Sequence, residues 1–157
     1  MQEATNHYRT IWISDIHLGT RGCKAEYLLD FLAQNESEYL YLVGDIIDGW
    51  QLSRSGHWAP SHNEVVRKVL RAAREGTRVM YIPGNHDEMF RDFQDMHFGG
   101  VAITNETVHE MADGRKFLVI HGDQFDGVTM HAKWLALLGD RAYDWALLLN
   151  AGFNYVR

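Results

Sequence analysis

The sequence predicts an α/β domain whose sheet is built largely from parallel strands. Three observations carry that expectation. Short apolar, partly β-branched runs alternate with segments whose apolar residues recur at helical spacing. Strand, helix, strand, helix, strand in that order makes right-handed βαβ units, which require parallel pairing. The strand-like runs also end in small clusters of Asp, Asn and His beside glycine, where an open parallel sheet binds its ligands, outside the carboxyl ends of its strands.

The first strand is expected over residues 8–13 and runs into Asp15 and His17. Gly19 opens a polar turn that ends at Lys24. Leu28, Leu29 and Leu32 mark a helix over residues 25–34. Residues 39–43 form the second strand, with Gly44, Asp45 and Asp48 behind it, and residues 50–61 read as a loop. Val65, Val66, Val69, Leu70 and Ala73 share one face of a second helix over residues 63–75, stopped by Gly76. The third strand covers residues 77–82 and leads into Gly84, Asn85, His86 and Asp87, with Asp87 suited to be the N-cap of a short helix over residues 87–93. Short extended runs follow at 101–103, 106–111 and 115–120, the last two joined by the hairpin signal Asp113-Gly114. The last run ends in His121, Gly122 and Asp123, and one helical segment is expected over residues 128–150. Parallel order would bring all four polar clusters to one edge.

Composition narrows the classes. The 157 residues are 46% apolar and 23% charged, with a net charge of −6. That suffices for one domain with its own core. An acidic surface does not draw nucleic acid by long-range charge, although clustered aspartates can hold cations that reverse the local sign. No apolar run approaches the ~20 residues of a membrane span. The first residues lack the basic and apolar regions of a secretory signal, and the single Cys23 forms no internal disulfide. A cytoplasmic location, peripheral at the inner membrane, is the expectation.

The clustered groups are carboxylate, carboxamide and imidazole, without thiolate. Such donors suit Mn, Fe or Zn better than Ca, and do not resemble a thiolate-bound structural Zn. Five candidate ligands exceed the need of one tetrahedral ion, whereas two ions sharing a bridging carboxylate would use them all. Two-metal sites clamp the attacking and leaving oxygens of a phosphoryl displacement and lower the pKa of water to ~7. Gly19, Gly44, Gly84 and Gly122 flank these groups and permit sharp turns.

Asp15-x-His17, Gly44-Asp45-x-x-Asp48, Gly84-Asn85-His86-Asp87 and His121-Gly122-Asp123 resemble the successive motifs of the calcineurin-like metallophosphoesterases. The resemblance implies an α/β sandwich, of which this chain is the first part. It also implies that Asp15 and His17 bind one divalent ion, Asp45 bridges, and Asn85 and His121 bind the second. His86 would then stand near the leaving group, and Asp48 would tie down a ligand histidine. Within the family, Ser14 to Gly19 and Ile120 to Asp123 look like the UDP-2,3-diacylglucosamine pyrophosphatase branch of lipid A synthesis, which usually works with Mn. His86 stands where well-known members of that branch carry Arg.

The family's Gly-His-x-His motif has no counterpart, and His131 is the only histidine beyond His121. The expectation is a truncated form, or one completed by a partner chain, with a weak or empty second ion site. Trp134, Leu135, Leu138, Trp145, Leu149 and Phe153 lie within a broad apolar helical face. It reads as a lid, a membrane-surface helix or a packing face that makes the protein a homo-oligomer. The domain division expected is a core over residues 1–127 and this segment over 128–157. The leading reading is a two-metal hydrolase of a phosphoester or pyrophosphate, acting on a phosphorylated small molecule such as a nucleotide-linked acyl sugar. Beside it stand a phosphodiesterase of cyclic nucleotides or nucleic acid, and a non-catalytic metal-binding fragment.

Overall fold

The computed structural model describes residues 5–125. Along them run β1 (Asn6–Ile13), α1 (Ala25–Gln34), β2 (Asn35–Val43), α2 (Gly49–Ser55), α3 (Pro60–Arg74) and β3 (Arg78–Ile82). A 3-10 helix (Glu88–Phe93) then precedes β4 (His97–Phe98), β5 (Val101–Ile103), β6 (Thr107–Glu110) and β7 (Lys116–Val119). The architecture is α/β: a mixed five-stranded sheet in the order β1-β2-β3-β5-β4, flanked by helices, with β6 and β7 forming a separate antiparallel pair. The expected helical segment over 128–150 lies outside the described residues. The chain divides after His121 into two compact units, and the second is described only over the 3-10 turn Gly122–Phe125, which carries Asp123.

β1, β2, β3 and β5 are parallel. Their register lines up Ile11, Leu40, Val79 and Val101 in one row and Ile13, Leu42, Tyr81 and Ile103 in the next. Residues two apart face the same side, so both rows point at the helices. Val69, Leu70 and Ala73 of α3 close over them, and Leu18, Ala25 and Val65 form an adjoining cluster. The opposite face is aromatic. Trp12 stacks on Tyr41, and the buried His109 of β6 meets Trp12, Tyr39 and Tyr41 edge-on. Both its ring nitrogens are engaged, with the Tyr41 hydroxyl at 2.9 Å and Thr10 Oγ1 at 3.2 Å.

Four expectations are corrected. The strand before His121 is not part of the parallel sheet: β7 pairs antiparallel with β6, because a short hairpin satisfies its own ladder through the Asp113-Gly114 turn. Residues 50–61 are not all loop. Residues 49–55 form α2, which buries no residue and so shows no apolar period; it is fixed by its ends. Asp48 accepts from Gln51 N–H at 2.8 Å, and Gly56 closes the helix with φ 59°. α3 begins three residues earlier than its apolar period, with Pro60 in its first turn. There His62 Nδ1 accepts the N–H groups of both Gly19 and Ala59. Lastly, β2 starts directly after α1, because Asn35 to Ser37 pair with the exposed start of β1, where backbone bonds continue without an apolar pattern.

Candidate metal centre

The C-terminal ends of β1, β2 and β3 lie side by side, and the loops leaving them are bonded to one another. Asp15 N–H donates to Gly44 O at 3.1 Å, His17 N–H to Asp45 O at 2.8 Å, and Leu18 N–H to Ile46 O at 2.8 Å. Gly44 N–H donates to Ile82 O at 2.6 Å, and Gly49 N–H to His86 O at 2.9 Å. Asp15, His17 and Asp45 hold φ of 55°, 52° and 54°. This left-handed region costs a non-glycine residue of order 1–3 kcal/mol. Three of the four such residues among those described sit here, held by the inter-loop bonds.

The side chains converge. One ligand atom each from Asp15, His17 and Asp45 lies within 4.8 Å of the others. Asp45 Oδ2 stands 4.0 Å from His17 Nε2 and 4.0 Å from His121 Nε2. These separations exceed hydrogen-bond reach. They bring one carboxylate oxygen and two imidazole nitrogens, groups that ligate divalent cations, around a common point. Thus three motifs meet although β7 belongs to another sheet. Asn85 stands in the same loop as His86, between Gly84 and that histidine, and is half-buried. Asp123 lies in the second unit.

Asp48 is almost fully buried. Its Oδ2 is 3.0 Å from Nδ1 of both His17 and His86, while Oδ1 caps α2. Burial alone would raise its carboxyl; the two imidazoles and the Gln51 N–H outweigh this and hold it well below the ordinary carboxylate value. Burial likewise would lower His17 and His86, but the Asp48 hydrogen bond and the nearby carboxylates raise both above 6.5. Asp45 is pushed up by burial, against the pull of the His86 N–H and the neighbouring imidazoles. A buried carboxylate short of positive charge, beside two imidazole nitrogens, is a donor set that fits a divalent cation.

Two residues carry more than the sequence disclosed. Asp87 does not cap the following helix through its side chain. It is fully buried and accepts the N–H groups of Asp45, Ile46, Ile47 and Gly84, together with the Tyr81 hydroxyl. It therefore knots the loop after β2 to the loop after β3. No spacing distinguishes such an aspartate from an N-cap. Trp50 of α2 lies against His86, with ring centroids 4.2 Å apart; its place next to Asp48 and Gly49 was the only available signal.

Two glycines leave the room the centre needs. A Cβ on Gly84 would come within 2.3 Å of Asp45 Oδ1 and 2.8 Å of His121 Nδ1. One on Gly44 would meet the His121 ring at 2.1 Å.

The chain is similar to known proteins. Over 119 residues, 72% of this chain and 46% of the relative, the chain is 25% identical to the UDP-2,3-diacylglucosamine hydrolase of Blochmanniella pennsylvanica (strain BPEN). The chain thus spans about half the length of the curated relative it matches. The model of the family described as calcineurin-like phosphoesterase matches residues 8–152. With that match covering most of its length, the chain belongs to the calcineurin-like phosphoesterase family.

Proposed function

We propose that this chain is a metal-dependent hydrolase of a pyrophosphate or phosphoester bond, with a UDP-2,3-diacylglucosamine-type molecule as its substrate class. The observation that carries the reading is Asp45 Oδ2 standing 4.0 Å from two imidazole Nε2 atoms that come from different motifs. In this reading Asp15 and His17 would hold one divalent ion, Asn85 and His121 would hold a second and weaker one, and Asp45 would be shared. Mn fits the oxygen-and-imidazole set; Fe and Zn are compatible with it. When bound, such ions polarise the phosphoryl oxygens and lower the pKa of water toward ~7.

The chain's own residues do the rest. Asp48 takes up Nδ1 of His17 and thereby leaves Nε2 facing Asp45, where it would meet a bound cation. The same carboxylate takes up Nδ1 of His86, which leaves Nε2 of that ring for the substrate. A protonated His86, favoured by Asp48, can give its proton to the departing oxygen. The sugar-nucleotide substrate is supported by the UDP-2,3-diacylglucosamine hydrolase relative and by the resemblance of the first and last motifs.

The test is Mn-stimulated hydrolysis of bis(p-nitrophenyl) phosphate by the wild type and by Asp45→Asn. Turnover that is lost in the variant supports the reading. A wild type without Mn-dependent turnover leaves a metal-binding fragment. Comparison of UDP-diacylglucosamine with cyclic nucleotides then decides the substrate, and preference for the cyclic nucleotide would replace the first assignment by the second.

A further inference from the structure

Three consecutive residues grip one histidine. Asp48 holds His86 Nδ1 at 3.0 Å, Gly49 N–H donates to His86 O at 2.9 Å, and Trp50 lays its indole against the imidazole with centroids 4.2 Å apart and planes tilted by 35°. A hydrogen bond to Nδ1 fixes one point of the ring but lets it swing about that point. A flat neighbour against the ring face removes the swing. His17 touches the same imidazole edge-on at 4.7 Å, and its own orientation is set by Asp48.

A packing role explains Trp50 poorly. It is half-buried, and α2 contributes no buried residue to the core. This seven-residue helix is fixed instead by its caps, Asp48 and Gly56. What α2 does deliver is the indole to His86. One face of that indole is taken by the imidazole.

We propose that Trp50 is a positioning residue for His86: its ring fixes the rotation that aims Nε2 at the departing oxygen. This role rests on the hydrolytic reading of the site. It predicts that the indole acts on turnover only through the histidine.

The experiment compares Trp50→Leu and Trp50→Phe, each in the native and in the His86→Gln background, in Mn-supported hydrolysis of bis(p-nitrophenyl) phosphate. Trp50→Leu is expected to lower kcat by about tenfold, the scale of a modest misplacement of a reacting group, with KM roughly unchanged. Trp50→Phe, which keeps a flat face, restores most of that loss. In the His86→Gln background Trp50→Leu costs nothing more. In NMR spectra the ring-current displacement of the His86 imidazole protons disappears in Trp50→Leu and persists in Trp50→Phe, whatever the activity. The role is overturned if the Trp50→Leu loss survives in the His86→Gln background, if KM rises at constant kcat, if Phe serves no better than Leu, or if the imidazole resonances do not move. A wild type without Mn-dependent turnover counts against the proposed reaction and removes this role with it.

Discussion

Nδ1 of His17 and Oδ2 of Asp48 lie 3.0 Å apart, and this contact decides which nitrogen His17 offers to a cation. With Nδ1 committed, Nε2 faces Asp45. Asp48→Asn is the informative substitution, because asparagine also caps a helix and α2 keeps its start. Loss of such an outer partner usually costs 10–100-fold in metal affinity. Mn affinity measured by titration calorimetry should therefore fall by roughly that factor, with helix content preserved in circular dichroism. Unchanged affinity would mean that Asp48 serves α2 alone.

The same contacts give the metal-free protein a pH dependence. Folding raises His17 and His86 above their ordinary value of 6.5, so the fold favours their protonated forms. The stability they contribute is fully present below 6.5 and is lost as pH rises through the raised folded-state values. Urea midpoints in EDTA should decline over that window, and the decline should flatten in Asp48→Asn. Mn binding should run the other way and tighten as pH rises, because the ion competes with the proton on Nε2. A metal-free midpoint that rises across the window would contradict the first expectation.

Much of this was legible in the sequence, and the limits have physical causes. The positions of β1, α1, β3 and the centre of α3 follow from apolar period, since each of them buries a face. Asp15, His17, Asp45, Asp48 and His86 stand where strands end, and parallel pairing puts those ends together. The route of His121 to the site was not legible, because β7 pairs in a hairpin outside the parallel sheet. Nor was α2, which is held by Asp48, Gly56 and the imidazole of His86 rather than by a buried face. The work of Asp87 was hidden for a further reason. Its partners are backbone N–H groups about 40 residues away, and backbone groups leave no mark on the pattern of side chains.

Asp87 carries a prediction about stability. Its carboxylate is the shared acceptor for four backbone N–H groups and the Tyr81 hydroxyl in a site without exposure. Asp87→Asn turns one end of that acceptor into a donor facing donors. The expected loss is on the order of 3 kcal/mol in urea unfolding, since unsatisfied buried groups cost about 1–3 kcal/mol each. Tyr81→Phe removes a single bond and should cost only about 1 kcal/mol. Burial and Asp87 push the Tyr81 phenol far above its usual value, so it remains a donor throughout the accessible pH range. Equal losses in the two variants would show that the Tyr81 bond, rather than the backbone knot, carries the effect.

Gly84 ties the candidate metal centre to the fold. Its backbone does not adopt a left-handed φ, so alanine there is not strained by conformation. The added methyl would instead stand 2.3 Å from Asp45 Oδ1 and 2.8 Å from both Asp45 N and His121 Nδ1, too close for any of them to stay. Those atoms belong to the carboxylate between the two imidazoles, to one of the imidazoles, and to the backbone of Asp45 itself. Gly84→Ala should therefore displace Asp45 or His121 by an ångström or so, and a misplacement of ~1 Å can cost about 10²-fold in rate. Gly44→Ala meets the His121 ring as well, but at φ 70° it adds backbone strain and should lower stability too. Paired measurements of thermal unfolding and Mn-dependent turnover should show both variants losing turnover and both unfolding at a lower temperature: Gly44→Ala through strain and the His121 ring, Gly84→Ala because the Asp45 backbone must also move. If Gly84→Ala kept wild-type turnover, Asp45 and His121 would not be cooperating at one centre.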